Sequence, residues 1–236
     1  MRFWPLILLI AVAACDPVAV ETQPDVPAIQ PVDTGPRLSQ RAATNNFRDA
    51  VRRVEPVAEQ FCRQRSPQQN CDFLIVVDDR PNQPINAYQT LDRNGRPIIA
   101  FTVPMIHEAR NRDEIAFVMA HEAAHHIAGH IARQQQNAAL GATLLGTLAG
   151  TLGAATPDSI DTAQQLGAAV GARSYSKNFE LEADALGTVI ADAAGYDPLR
   201  GAQFFFRIPD PGDQFLGTHP PNAERLRTVQ RVAASL

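Results

Sequence analysis

The sequence predicts an α+β domain that is mainly helical and that follows a short leader and a proline-rich tether. Three patterns support this fold class. Apolar residues recur at three- and four-residue spacing through most of the chain, which is typical of helices that bury one face. Short β-branched runs cluster between residues 73 and 102, where Asn94-Gly95 marks a hairpin turn. The 236 residues, 45% of them apolar, are enough to bury one sizeable core.

The first 14 residues are similar to an export signal. Arg2 precedes an apolar run that is too short to span a bilayer, and the run ends in small residues before Cys15. This arrangement is typical of bacterial lipoprotein signals, in which the cysteine carries the lipid. We therefore expect a signal peptide at 1–14 and lipidation of Cys15. An ordinary signal peptide that contains a cysteine is the alternative.

Residues 15–37 are predicted to form the tether. Five prolines and few large apolar side chains favour an extended chain there. Such a tether would hold a domain at 38–236 away from a membrane, on the periplasmic side of a bacterial cell envelope. Asp16, next to the lipidated cysteine, slightly favours the inner membrane and leaves the outer membrane as the alternative.

Charge and cysteine content narrow the classes of function. The formal net charge is -4 and no block of Lys or Arg occurs, so a nucleic-acid partner has no electrostatic support. The two remaining cysteines, Cys62 and Cys71, are nine residues apart. In an exported protein this favours a disulfide over two free thiols. They form no Cys-x-x-Cys pair, so a redox or metal role is not expected.

The same periodicity predicts where the elements lie. Helices are expected near 38–64, 112–133, 159–173, 177–194, 198–206 and 221–234, and strands near 73–77, 87–91 and 97–102. Pro56 should bend or split the first helix. Residues 138–155 carry no charge, but their Gly and Thr content makes them weakly hydrophobic. This favours a buried or lid-like helical segment over a membrane span.

A motif within the predicted helix at 112–133 carries the first candidate site. The sequence H-E-A-A-H begins at His121 and ends at His125. Residues four apart lie on one helix face, and two neutral imidazoles placed in this way can bind one zinc ion. Glu122 is then within reach of a zinc-bound water, whose proton it takes and passes to the leaving amine. His126 is turned about 100° away and is not expected to be a ligand. Two solvated histidines on a surface helix are the alternative.

A catalytic zinc site needs a third protein ligand and one open position. On a continuous helix, His130 points almost opposite His121, so we interpret it as structural. Glu180 and Asp184, four residues apart on a later predicted helix, are better candidates. One carboxylate would bind zinc and the other would hold a ligand histidine through its free ring nitrogen. Glu182 points elsewhere and is expected to be solvated. An ordinary acidic helix face is the alternative, and spacing alone does not decide between them.

Together these residues resemble the HtpX and CAAX-prenyl protease family of gluzincin metallopeptidases, especially its soluble periplasmic members. The likeness spans residues 45–235 and rests on H-E-x-x-H followed by E-x-E-A-D-x-x-G, which begins here at Glu180. It implies one zinc ion per chain, with Glu180 as the third ligand and Asp184 as the partner of a ligand histidine. It also implies that His219 and Arg225 lie near the substrate or metal, where they would stabilise an oxyanion. A turn residue and a surface charge are their respective alternatives.

The resemblance implies a metalloendopeptidase that hydrolyses peptide bonds of unfolded or misassembled envelope proteins. A strand at Ile98–Thr102 is expected to form a sheet edge that pairs with an extended polypeptide substrate. A second hypothesis is a latent protease or chaperone-like zinc protein whose site is covered by 138–155 or by the loop of His219. A non-enzymatic envelope lipoprotein is the third hypothesis.

Overall fold

The computed structural model describes residues 36–151, 156–174, 176–208 and 220–236. Within these ranges the predicted fold class, α+β and mainly helical, is confirmed. The strands are β1 (Leu74–Asp78), β2 (Ala87–Leu91) and β3 (Pro97–Thr102). The helices are α1 (Gln40–Arg65), α2 (Val103–Glu108), α3 (Arg112–Ile127), α4 (His130–Thr151), α5 (Pro157–Ser174), α6 (Ser176–Ala193), α7 (Pro198–Gly201), which continues as a 3-10 turn at Ala202–Phe206, and α8 (Asn222–Ala233). The predicted signal peptide, Cys15, almost all of the tether and His219 lie outside the described residues.

Two of the predicted helices differ from the observed ones. α1 is not split at Pro56 but continues to Arg65. The predicted helix at 112–133 is two helices, because the chain turns at Gly129, whose φ of 68° places it in the left-handed region. This region suits glycine, which has no Cβ to clash with the backbone. The turn gives α4 a direction of its own, and with it a new orientation for His130.

The sheet corrects the predicted substrate strand. Its order is β1-β3-β2, with β1 parallel and β2 antiparallel to β3. Ile98–Thr102 therefore lies in the central strand, and the prediction that it forms an edge is wrong. The hairpin turn correctly predicted that β2 and β3 pair, but β1 adds to the other side of β3 through a contact between distant parts of the chain. This leaves β2 as an edge strand, next to α3.

α3 runs through the core of the domain and is held at both ends. Its side chains are buried on nearly all sides, between α1 and α6. At its start, the side chain of Asn111 accepts hydrogen bonds from the backbone amides of Asp113 and Glu114. These two acidic residues also lie in the first turn, where the helix dipole favours negative charge. The motif that begins at His121 therefore sits on a rigid, fully packed helix.

The predicted disulfide between Cys62 and Cys71 is present. It closes the loop that follows α1, and this loop caps the end of α3. The hydroxyl of Ser66 donates to the carbonyl oxygen of Ile127 at 2.6 Å, and the side-chain amide of Gln69 donates to the same oxygen at 3.3 Å. The last carbonyls of a helix have no partner within the helix, so the loop stabilises α3 at the end that carries the histidines.

α4 and α5 form a helical hairpin with very close backbone contact. A Cβ atom added at Gly141 would lie 2.1 Å from the carbonyl oxygen of Gly167, so only glycine permits this packing. The described part of the uncharged segment, 138–151, belongs to this hairpin and does not line the cavity beside α3. Among the described helices, none combines the length and the apolar character that a membrane crossing requires.

Candidate metal centre

Three side chains from two helices converge on one point. His121 and His125 extend from α3, and Glu180 extends from α6 opposite them. The Nε2 atoms of the two histidines are 3.0 Å apart. The Glu180 carboxylate oxygens lie 3.5 Å from Nε2 of His121 and 3.3 Å from Nε2 of His125. The structure therefore brings together the three residues that were predicted as metal ligands.

These distances fit zinc. Ligand atoms placed tetrahedrally at about 2.0–2.1 Å from a zinc ion lie roughly 3.3 Å from one another. The three measured separations fall on both sides of this value. Two imidazoles and a carboxylate form a donor set that occurs in catalytic zinc sites, and three protein ligands leave the fourth position open. The donor set therefore fits a catalytic zinc site better than a structural one.

Asp184 contacts the first histidine of the motif, and Arg225 in turn binds Asp184. Asp184 is completely buried, and its Oδ1 lies 2.9 Å from Nδ1 of His121. Arg225 donates to both oxygens of Asp184, at 2.8 and 2.7 Å, and its guanidinium lies 4.0 Å from the ring centroid of Phe205. The Asp184 contact matches the predicted arrangement. The oxyanion role of Arg225 stays a prediction, since its guanidinium is shared with Asp184 and, at 3.6 Å, with Glu180.

The charges around the centre favour a cation. Burial alone would lower the pKa of His121, but hydrogen bonds to Asp184 and Glu180 raise it to about 10. Burial also opposes the charged form of Asp184, yet Arg225 and His121 outweigh it and hold the pKa of this carboxyl below its ordinary value. Negative charge is therefore retained in the protein interior next to the ligand atoms, where it attracts a metal ion.

His130 contacts His125, the second histidine of the motif. The sequence did not predict this contact. Its Nδ1 lies 2.8 Å from Nδ1 of His125, and its Nε2 lies 3.3 Å from Oε2 of Glu182. Arg133 donates to the same Glu182 oxygen at 2.7 Å. The expectation that His130 points away from the site fails because the helix turns at Gly129. Glu182 is partly solvated, as expected, with a side chain that is 47% exposed, but it also contacts His130 and Arg133.

The ring of His130 is buried and neutral. Burial, followed by the proximity of His125, lowers its pKa to about 4. The neighbouring His126 lies on another side of α3, where Nε2 bonds to the carbonyl oxygen of Asn70 at 2.8 Å and the ring packs edge-on against Phe73. Its ring therefore points away from the point where His121, His125 and Glu180 converge. In the sequence, Gly129 indicates that a helix ends just before His130.

A cavity of about 720 Å³ opens in front of the candidate metal centre. Its wall includes His121, Glu122, His125 and Glu180, together with Arg225. Burial raises the pKa of the Glu122 carboxyl above its ordinary value. The predicted general base thus lies on the same surface as the candidate ligands.

The edge strand and aromatic side chains also line the cavity. Ala87, Tyr88 and Gln89 of β2 line it, and Phe204 and Phe205 contribute apolar surface. The sequence predicts an edge strand with this function at β3, and the structure places β2 there instead. The cavity is therefore a cleft between a sheet edge and the candidate metal centre.

Comparison with known proteins supports this description of the site. No curated protein gave a significant match to the chain. The model for peptidase family M48 matches residues 45–233, which include H-E-A-A-H on α3, Glu180 on α6 and the cleft between them and β2. This match covers most of the 236 residues and agrees with the metallopeptidase resemblance of the motifs. The chain belongs to peptidase family M48.

Proposed function

We propose that this member of the family is a zinc-dependent endopeptidase that cleaves unfolded or misassembled proteins of the cell envelope. The observation that carries the proposal is the convergence of His121, His125 and Glu180, whose ligand atoms all lie within 4.8 Å of one another. These three side chains line a cleft of about 720 Å³, in which a polypeptide segment would bind. One zinc ion per chain accounts for this donor set.

The protein's own groups are arranged for hydrolysis. Zinc, when bound, lowers the pKa of a coordinated water and polarises the scissile carbonyl. Glu122, next to His121 on the cavity wall, is the base that takes the proton from the attacking water and returns it to the leaving amine. Its raised pKa suits a group that must accept and release a proton in turn. Arg225, and His219 by resemblance, would stabilise the oxyanion.

The position of β2 supports an extended polypeptide as the substrate. An edge strand presents backbone donors and acceptors that pair with any extended chain, so recognition depends little on sequence. β2 borders the cleft through three of its five residues, Ala87, Tyr88 and Gln89. A substrate paired with β2 would cross in front of the metal centre. Loosely selective cleavage of unfolded chains follows from this arrangement.

Lipidation of Cys15 and the tether at 15–37 remain part of the proposal. They would hold the domain at the periplasmic side of a bacterial membrane, with Asp16 slightly favouring the inner one. Mass spectrometry of the N-terminal peptide should show a lipid on Cys15. Cys15→Ser should move the protein from the membrane fraction to the periplasmic fraction. Recovery of the serine variant in the membrane fraction would contradict the anchor.

Metal content and cleavage test the enzyme itself. Zinc should be present at one equivalent in the wild type and lost in His125→Ala and Glu180→Ala, as measured by elemental mass spectrometry. Casein, an unstructured substrate, should be cleaved by the wild type and not after treatment with a chelator. Glu122→Gln should keep its zinc and lose cleavage, because the carboxylate is needed for proton transfer and not for metal binding.

The possible outcomes separate the hypotheses. Full cleavage by Glu122→Gln would refute the general base, and unchanged zinc in Glu180→Ala would refute the third ligand. Wild-type protein that holds zinc but cleaves nothing would favour the latent or chaperone-like alternative over the enzyme. Wild-type protein without zinc affinity would favour a non-enzymatic lipoprotein.

A further inference from the structure

The break between α3 and α4 places a third histidine against a candidate ligand. Gly129, with a φ of 68°, ends α3 and lets α4 begin at His130. The His130 side chain is only 5% exposed, and its Nδ1 lies 2.8 Å from Nδ1 of His125. Sequence distance alone does not suggest this contact, since a straight helix would place the two rings on different faces.

With Nε2 of His125 as a metal ligand, one set of tautomers satisfies the contacts that join His125, His130 and Glu182. Nε2 of His125 faces His121 and Glu180 and is therefore the ligand atom, so the hydrogen of the neutral ring is on Nδ1. This N–H donates to Nδ1 of His130, which must then be bare. The hydrogen of His130 is on Nε2, 3.3 Å from Oε2 of Glu182, to which it donates. Both nitrogens of His130 are thus in use, and His130 itself is not a metal ligand.

The surroundings of His130 fix its ring. Phe179 stacks on it, with ring centroids 4.6 Å apart and an angle of 13° between the planes. Arg133 lies 4.4 Å from the centroid of Phe179 and donates to Glu182 at 2.7 Å. Phe179 and Glu182 flank Glu180 on α6, so the helix that supplies the third candidate ligand also holds His130 in place.

We infer that His130 is a positioning residue, which with Glu182 fixes the orientation and tautomer of His125 as a zinc ligand. The inference rests on the proposed function, in which His125 binds zinc. A ligand histidine usually donates its second N–H to a carboxylate or a carbonyl, and loss of this partner typically weakens metal binding about 10- to 100-fold. Nδ1 of His121 uses Asp184 for this purpose, whereas Nδ1 of His125 contacts His130, whose Nε2 in turn contacts the Glu182 carboxylate.

Zinc affinity of purified full-length protein, measured by competition with a chromophoric chelator, tests the inference. His130→Phe keeps a ring that can stack on Phe179 but removes the acceptor, so zinc should bind about 10- to 100-fold more weakly. His130→Asn places an amide oxygen near the position of Nδ1, and most of the affinity should return. His126→Phe is the matched control, because His126 is a buried histidine at the same helix end that contacts Asn70 instead of a ligand. Its zinc affinity should stay within about threefold of wild type.

Spectroscopy gives a readout that a general loss of stability would not move. In protein loaded with Co²⁺, the visible bands should shift in His130→Phe and not in His126→Phe, because only the former changes the geometry of a ligand. Unchanged affinity and bands in His130→Phe, or an equal loss in His126→Phe, would overturn the inference. If His130→Phe does not fold, the zinc affinity of a variant of the half-exposed Glu182 serves as the test. Glu182→Ala should weaken zinc binding at least about threefold. Unchanged zinc affinity in this variant would overturn the role of His130.

His125→Ala separates this inference from the proposed function. If it binds zinc as tightly as the wild type, His125 is not a ligand and the proposed function fails. If it loses zinc while His130→Phe retains full affinity, the metal centre stands and only the positioning role of His130 fails.

Discussion

The pair between Arg225 and Asp184 allows the sharpest prediction about stability. Asp184 is completely buried, and its charged partners are the Arg225 guanidinium and His121. Arg225 is itself 8% exposed in its side chain and stacks on Phe205. In Arg225→Met the apolar stem is kept, but a buried carboxylate loses its two hydrogen bonds from the guanidinium.

The size of the stability loss in Arg225→Met follows from the burial of the Asp184 carboxylate. Removal of one partner from a buried ion pair costs about 3–5 kcal/mol, because the remaining charge is left without compensation. His121 still faces Asp184, so we expect a loss near the lower end, about 3 kcal/mol. For a domain of this size, about 2–4 °C per kcal/mol gives a fall in melting temperature of about 6–12 °C. Arg225→Lys keeps one charged hydrogen bond and should lose only about 1–2 kcal/mol.

Equilibrium urea unfolding in excess chelator measures this loss without a contribution from bound metal. The double variant Asp184→Asn with Arg225→Met has no buried charge at this position. Its loss should therefore be smaller than the sum of the two single losses, by about 1–3 kcal/mol. A loss below about 1 kcal/mol for Arg225→Met, or strict additivity in the double variant, would refute the argument that the guanidinium compensates the buried carboxylate.

Three further predictions concern contacts around the centre. Gly187→Ala would place a Cβ 3.0 Å from the backbone of α3. The free energy of unfolding should therefore fall by about 1–2 kcal/mol, and zinc affinity should fall with it. An unchanged midpoint of urea unfolding would contradict this prediction. Replacement of Cys62 and Cys71 by alanine should cost about 2.5–3 kcal/mol from loop entropy, measured by urea unfolding, and a loss below 1 kcal/mol would contradict it. Tyr196 donates to Asp49 at 2.9 Å and is the main reason that the pKa of Asp49 is below its ordinary 3.8. This stabilisation is present above about pH 4 and is lost as the pH falls below it, so Tyr196→Phe should cost about 1 kcal/mol at pH 7 and less at pH 3. A difference that is equal at the two pH values would contradict that assignment.

Spacing along the sequence was sufficient to predict two of the three candidate ligands. His121 and His125 lie four residues apart on one helix, and helix geometry alone places their rings together. Their convergence with Glu180 is a contact between α3 and α6, more than 50 residues apart in sequence. Spacing left that carboxylate undecided, and the resemblance to a known family was needed to select it.

The errors in the predicted site have two physical causes, one long-range and one local. The hairpin between β2 and β3 could be read from Asn94-Gly95, but the side on which β1 adds depends on distant packing. The position of β1 therefore makes β3 the central strand. His130 was misplaced because helical periodicity was extended through Gly129, where the backbone adopts a left-handed conformation and the helix ends.

α6 supplies the third candidate ligand and also the side chains that hold both histidines of α3. Glu180 reaches the metal position, Asp184 supports one histidine of α3, and Phe179 and Glu182 hold the residue behind the other. Since all four extend from one helix, a shift of α6 against α3 would disturb the third ligand and both histidine supports together. The close approach at Gly187 limits such a shift, because the two backbones already meet there without a side chain between them. Rigidity of this helix pair would thus help to keep the donor atoms at the separations that zinc requires.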